Sequence, residues 1–113
     1  MSTQKKPLLT LAIAATAALT ANRAATLAGA VPAAGAAATG GVCTRDTAIG
    51  GIAPCDVLGT TTMEAGAAVA AGVQLDLDAS GRAITHAAGV IIGRALQAAA
   101  AAGDLIEVLL LPT

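Results

Sequence analysis

His86 is the chain's only histidine, and Ser2, Ser80, Cys43 and Cys55 are its serines and cysteines. These few residues bound the covalent chemistry. A serine nucleophile needs a base and an orienting acid around it, but neither Ser2 nor Ser80 lies in a nucleophile motif. Cys43 or Cys55 with His86 could form a thiol pair, yet no supporting signature surrounds either cysteine. Two cysteines and one histidine make three ligands without zinc-type spacing. The only lysines, Lys5 and Lys6, precede no glycine loop, so a phosphate-binding P-loop is excluded. His86 reads as a surface or satisfied residue. The stretch DLDASG loosely matches the first half of a calcium loop at Asp76, Asp78, Ser80 and Gly81. Its twelfth position is Ala87, where a bidentate glutamate is required. An Asp-Gly hairpin turn is the better reading. No catalytic, cofactor or metal constellation emerges.

Cys43 and Cys55 could close a loop. In a secreted protein they would be expected to bridge, and in a cytosolic one to serve as small buried hydrophobes. Both readings stand at this point.

Composition narrows the partners. The chain has 113 residues, a net charge of -1 and six basic residues, a poor track for phosphates. It has no Phe, Tyr or Trp, so it lacks the rings on which single-stranded nucleic acids stack. Nucleic acid is not an expected partner. Hydrophobic residues make up 56% of the chain, most of them alanine, which buries little area. The core of a lone monomer is expected to be thin, so a partner that binds only the folded form should add stability.

The elements that would carry these residues are short. Glycines punctuate the chain at intervals mostly under ten residues, which suits strands and turns better than helices. AATGGVCTRD, IAPCDVLGTTT, AGVQLDLD, RAITHA and VIIGRAL read as strands or strand-plus-turn pieces, with DASG turning a hairpin. ALQAAAAAGD reads as a turn or one loose helical turn after a strand over Ile91–Leu96. DLIEVLLLP reads as a final strand ended by Pro112. Ile106, Val108 and Leu110 share one face, and Leu105, Leu109 and Leu111 on the other suggest burial on both sides. The expected core is Ile92, Leu96, Ile106, Val108 and Leu110. The fold class is mainly β: a small β-barrel or β-sandwich of short strands with an extended N-terminal arm. Residues 1–28 form the arm or first strand, and residues 29–113 the β-rich domain.

The opening run raises a separate question. Lys5 and Lys6 precede a stretch from Leu8 to Thr20 that has the outline of a signal peptide. It is too short to span a membrane before Asn22 and Arg23 interrupt it. Its threonines and its alternation of Leu11, Ile13 and Ala15 also fit a strand, and Met1 still stands ahead of it.

Three pieces, in order, carry a resemblance: GVCTRD at Gly41–Asp46, AGAAVAAGVQLDLDASGR at Ala65–Arg82 and GRALQAAAAAGDLIEVLLL at Gly93–Leu111. From about Ala21 to Pro112 the chain resembles the short Ala/Gly-rich capsid decoration, or cement, proteins of tailed bacteriophages. The resemblance implies a structural virion protein without catalysis. It would bind the outer surface of an icosahedral capsid and stabilise it, with the major capsid protein as partner. It would act as a homo-oligomer, trimer or dimer, with no nucleic acid and no membrane. Assembly would occur in the host bacterial cytoplasm, where both thiols stay reduced. The opening run then becomes an arm or first strand, with Leu8, Leu9, Leu11 and Ile13 at a capsid or subunit contact. An arm of this kind could be deleted over residues 2–20 without unfolding the rest. The rival reading is a secreted or surface-displayed small β domain with a cleaved signal peptide and a Cys43–Cys55 bridge.

Overall fold

A computed structural model describes residues 5–111. Pro112, expected to end the last strand, lies outside the described residues. Eight strands form one antiparallel sheet, and no described residue is helical. The strands are β1 (Lys6–Ala14), β2 (Ala24–Ala25), β3 (Gly41–Cys43), β4 (Ile52–Glu64), β5 (Gln74–Leu77), β6 (Ala83–Thr85), β7 (Gly93–Ala95) and β8 (Leu105–Leu110). The mainly β expectation holds, and each sequence piece read as a strand contains one. DASG does turn the β5–β6 hairpin, with Leu77 opposite Ala83. Ala98–Ala102 stays non-helical: Ala99 bridges to Val69, and Gly103 turns the chain into β8.

β4 organises the sheet. β1 lies along one of its edges, and β3 and then β8 follow one another along the other. Gly59 sits where β4 passes from β3 to β8. A Cβ there would stand 2.5 Å from the Lys6 carbonyl oxygen, and its φ of +97° suits glycine alone. From β8 the order continues β7-β5-β6. The sheet curls until its ends approach: Ala24 donates its N–H to the Gly81 carbonyl, and Ala65 bridges Ala83. The result is a half-barrel. The part of the opening run from Lys6 to Ala14 is therefore its first strand.

The two halves of the chain repeat one another. Leu19 and Thr47 exchange both backbone hydrogen bonds, as do Val69 and Ala99. Ala15 donates to Gly51 and accepts from Gly50, as Ala65 donates to Asp104 and accepts from Gly103. Asn22 donates to Cys43 and Cys43 to Arg23, as Gly72 does to Ala95 and Ala95 to Val73. Gly40 donates to Ala25 and Thr44 to Pro54, as Ile92 does to Leu75 and Leu96 to Glu107. Strand registers match too: Ala14↔Ile52 and Ile13↔Ala53 correspond to Glu64↔Leu105 and Met63↔Ile106. β1-β2-β3 and the first part of β4 thus reappear as the second part of β4 with β5-β7-β8. β4 runs to 13 residues because it closes one half and opens the other. Even the turn geometry recurs. Asn22 has a φ of 65°, where its counterpart Gly72 has 88°, since asparagine tolerates the left-handed region better than most side chains.

The core follows this division except at Ala24 and Val42 of the first half, which join the larger cluster. One cluster holds Ile13, Ala15, Leu19, Ala25, Cys43, Ala53 and Cys55. Their counterparts Met63, Ala65, Val69, Leu75, Ala95, Ile106 and Val108 all belong to the larger cluster, with Leu77, Ile92 and Leu110. Two expectations are corrected here. Leu96 is exposed, because it lies just past the end of β7, where Ala95 takes the inward place. Leu105, Leu109 and Leu111 are also exposed: the outward face of β8 is covered at Glu107 but open on either side of it.

Candidate functional site

The polar residues singled out from the sequence are held in structural roles. His86 Nδ1 lies 2.6 Å from Asp76 Oδ1, and the amides of Ala87 and Gly89 donate to Asp76 Oδ2. Asp76 itself is buried on β5. Burial alone would raise its pKa, but the Ala87 amide, His86 and the Gly89 amide together outweigh that and hold it below the usual carboxylate range. Asp78 caps the hairpin: Oδ1 accepts from the amides of Ser80 and Arg82, and Oδ2 from Arg82 Nε. The hairpin-turn reading of DLDASG is the observed one. Among the described residues no group of three or more His, Cys, Asp or Glu could hold a metal.

The Asp76 latch gives a pH prediction. A carboxylate whose folded pKa is depressed stabilises the fold above its unfolded pKa, and that contribution is lost as pH falls through the folded value. The loop from His86 to Gly89 should therefore loosen below about pH 4, near the unfolded value of an aspartate. Asp76→Asn should remove most of this acid sensitivity. Amide exchange at Ala87 and Gly89 across an acid titration measures it, and identical profiles in both proteins would refute the assignment.

Asp56 is the second buried carboxylate. It accepts from the hydroxyls of Thr10 (2.9 Å) and Thr61 (2.8 Å) and lies 3.1 Å from Lys5 Nζ. These contacts pin β1 to β4. Arg23 and Arg82 both pair with Glu64, and Arg82 also with Asp78. The hollow lined in part by Leu19, Arg23 and Val31 therefore has its guanidinium already engaged.

The surface differs from these paired charges. Leu8 is 77% exposed and Leu9 49%. Leu9 stands opposite Leu58 on β4, and Leu111 follows Leu110 along the other edge of that strand. With Leu11, Val57, Ala38 and Thr39 they line an apolar groove of about 240 Å³. Of the four residues expected at a contact, Leu8 and Leu9 are exposed and Leu11 is half-buried at the groove. Ile13 is not available: it is buried inside the first half's core, because β1 alternates and residues 13 and 15 point inward. Val57, Leu58 and Leu111 were missed. Their signal was the unbroken Leu109–Leu111 run, which a one-faced sheet must leave partly outside.

The fold and surface define a small all-β protein with an apolar surface groove and most of its buried or half-buried charges paired within the framework. The family model for phage cement protein matches residues 3–110, and the chain belongs to that family. Its role is thus that of a capsid-associated structural protein of a phage. The chain is similar in fold to the crystal structure of the head fiber gp8.5 N base of bacteriophage phi29. The TM-score is 0.75 at 18% identity, over 93% of this chain and 95% of that one. No curated protein matches the chain.

Proposed function

We propose that this protein binds the outer surface of an icosahedral phage capsid and stabilises the shell, docking through the groove between β1, β4 and β8. Leu8, Leu9 and Leu11 meet the major capsid protein or a neighbouring copy, and Leu58 and Leu111 complete the patch. The observation that carries this reading is the family match over nearly the whole chain. The exposed leucines add a physical reason, since clustered apolar surface marks interaction sites. Assembly in the host cytoplasm and action as a dimer or trimer complete the proposal. Two or three linked contacts would raise avidity without any new chemistry.

The test is binding of the purified protein to capsids that lack it. Leu8→Ser with Leu9→Ser should leave the melting temperature of the free protein nearly unchanged, because Leu8 and Leu9 are exposed. Two leucines lost from an interface, at roughly 1.5–3 kcal/mol each, should weaken capsid binding by about 100-fold or more. Cosedimentation measures that loss, and capsid melting with and without bound protein measures stabilisation. Undiminished binding by the double variant would remove the groove from the proposal. A wild-type chain that does not bind would remove the function.

A further inference from the structure

Cys43 and Cys55 are direct cross-strand neighbours on β3 and β4, with their sulfurs 3.3 Å apart. The backbone shows which kind of pair they form. Cys43 donates its N–H to Arg23 and accepts at its carbonyl from Asn22, both on the β2 side, while the next residue, Thr44, donates to Pro54. Cys43 and Cys55 are therefore a non-hydrogen-bonded pair, the type with the closer Cα atoms, about 4.5 Å apart. That lies within the range a disulfide spans, about 4.4–6.8 Å. Both side chains are buried and face the same cluster.

The internal repeat gives the pair a purpose. Ala95 and Val108 occupy the same two places in the second half, also directly opposed. The first half is otherwise the poorer one: Ala25 and Ala53 stand where the second has Leu75 and Ile106. Packing needs no sulfur at these positions, and the half with less apolar area is the one that carries two.

We propose that Cys43 and Cys55 are a latent cross-strand disulfide site that staples β3 to β4 by exchange with a small-molecule disulfide once the protein leaves a reducing environment. The Cys43 thiolate attacks one sulfur of the small disulfide, forming a mixed disulfide and expelling one thiolate. Cys55 then loses its proton, attacks the Cys43 sulfur and expels the second. The protein loses two protons and two electrons, and the small disulfide is reduced to two thiols. The Cys55 S–H bond toward Cys43 favours Cys43 as first attacker, lowering its pKa, while that bond and burial raise the pKa of Cys55. Because both thiols are buried, exchange proceeds through local opening at β2–β3, where β2 has only two residues. This inference does not depend on capsid binding.

The experiment incubates the folded full-length protein, purified under reductant, with oxidised glutathione at pH 8. Intact mass should fall by two hydrogens with no glutathione retained, and a non-reducing digest should join the peptides holding Cys43 and Cys55. The melting temperature should rise by roughly 10 °C and return on reduction, as a short closed loop predicts. The double variant Cys43→Ala, Cys55→Val copies the second half's residues and should melt near the reduced protein with no response to glutathione. A stable glutathione adduct, two thiols still free after prolonged incubation, or a bridge that lowers the melting temperature would each overturn the proposal.

Discussion

A chain lacking residues 2–20 is expected to be unfolded at 25 °C. Read from sequence, the opening run is a separable arm, but its place in the sheet reverses that expectation. β1 pairs with β4 from Lys6↔Thr60 to Ala14↔Ile52. The deletion removes Ile13, Ala15 and Leu19, three of the seven buried side chains in the first half's core. Ile13 and Leu19 alone represent roughly 1.5–3 kcal/mol each. It also removes Lys5 and Thr10 from Asp56, leaving Thr61 as that carboxylate's remaining side-chain partner. The edge of β4 from Ile52 to Thr60 also loses the backbone partners that β1 supplied, at about 0.5–1.5 kcal/mol for each hydrogen bond. Together these losses match the whole stability of a typical domain, about 5–15 kcal/mol. Far-UV circular dichroism and amide dispersion in proton NMR report the outcome. A cooperative thermal transition in the truncated chain would show that the second half folds alone and that the first only decorates it.

The contrast with Leu8→Ser and Leu9→Ser is informative. The same strand buries Ile13 toward one end and exposes Leu8 and Leu9 toward the other. Deletion therefore tests the fold, while surface substitution tests the contact.

How much of this was legible depended on the interaction. Strand positions followed from glycine spacing and from the apolar alternation of Ile106, Val108 and Leu110, because local sterics and the period of two act within a few residues. The hairpin at DASG was legible because Asp78 and Gly81 perform local turn chemistry. The number of covered faces was not legible: VLLLP fits a sandwich strand as well as one in a single curled sheet, and only the tertiary path decides. Ile13 was misplaced for the same reason. The internal repeat was invisible because the backbone repeats and the side chains do not. Among the seven paired core positions, only Ala15 and Ala65 are identical. The leucines of the groove meet from β1, β4 and β8, so no local pattern marks them as one patch.

Along β8, substitution to alanine is expected to produce an alternating profile of large and negligible effects. Ile106 and Val108 are buried on the concave face, opposite Met63 and Thr61 of β4. Ile106→Ala removes the side chain that gives the second half its advantage over Ala53 in the first, without the surrounding packing that accommodates an alanine there. The cost should be about 2–5 kcal/mol, lost transfer energy plus the cavity left behind. Val108→Ala removes two methyl groups and should cost about 2 kcal/mol. Against a thin, alanine-rich core, Ile106→Ala should leave the isolated protein largely unfolded at 37 °C. Leu105→Ala and Leu109→Ala flank them in sequence but at 53% and 38% exposure, and should each stay within roughly 0.5 kcal/mol of the parent. Urea midpoints at constant slope measure all four. If the wild-type protein melts higher on the capsid than free, Ile106→Ala should gain a similar free energy on binding and so recover a folded population there, because the shell binds only the folded form. Equal costs at all four positions would mean that the convex face of β8 is covered in the free protein.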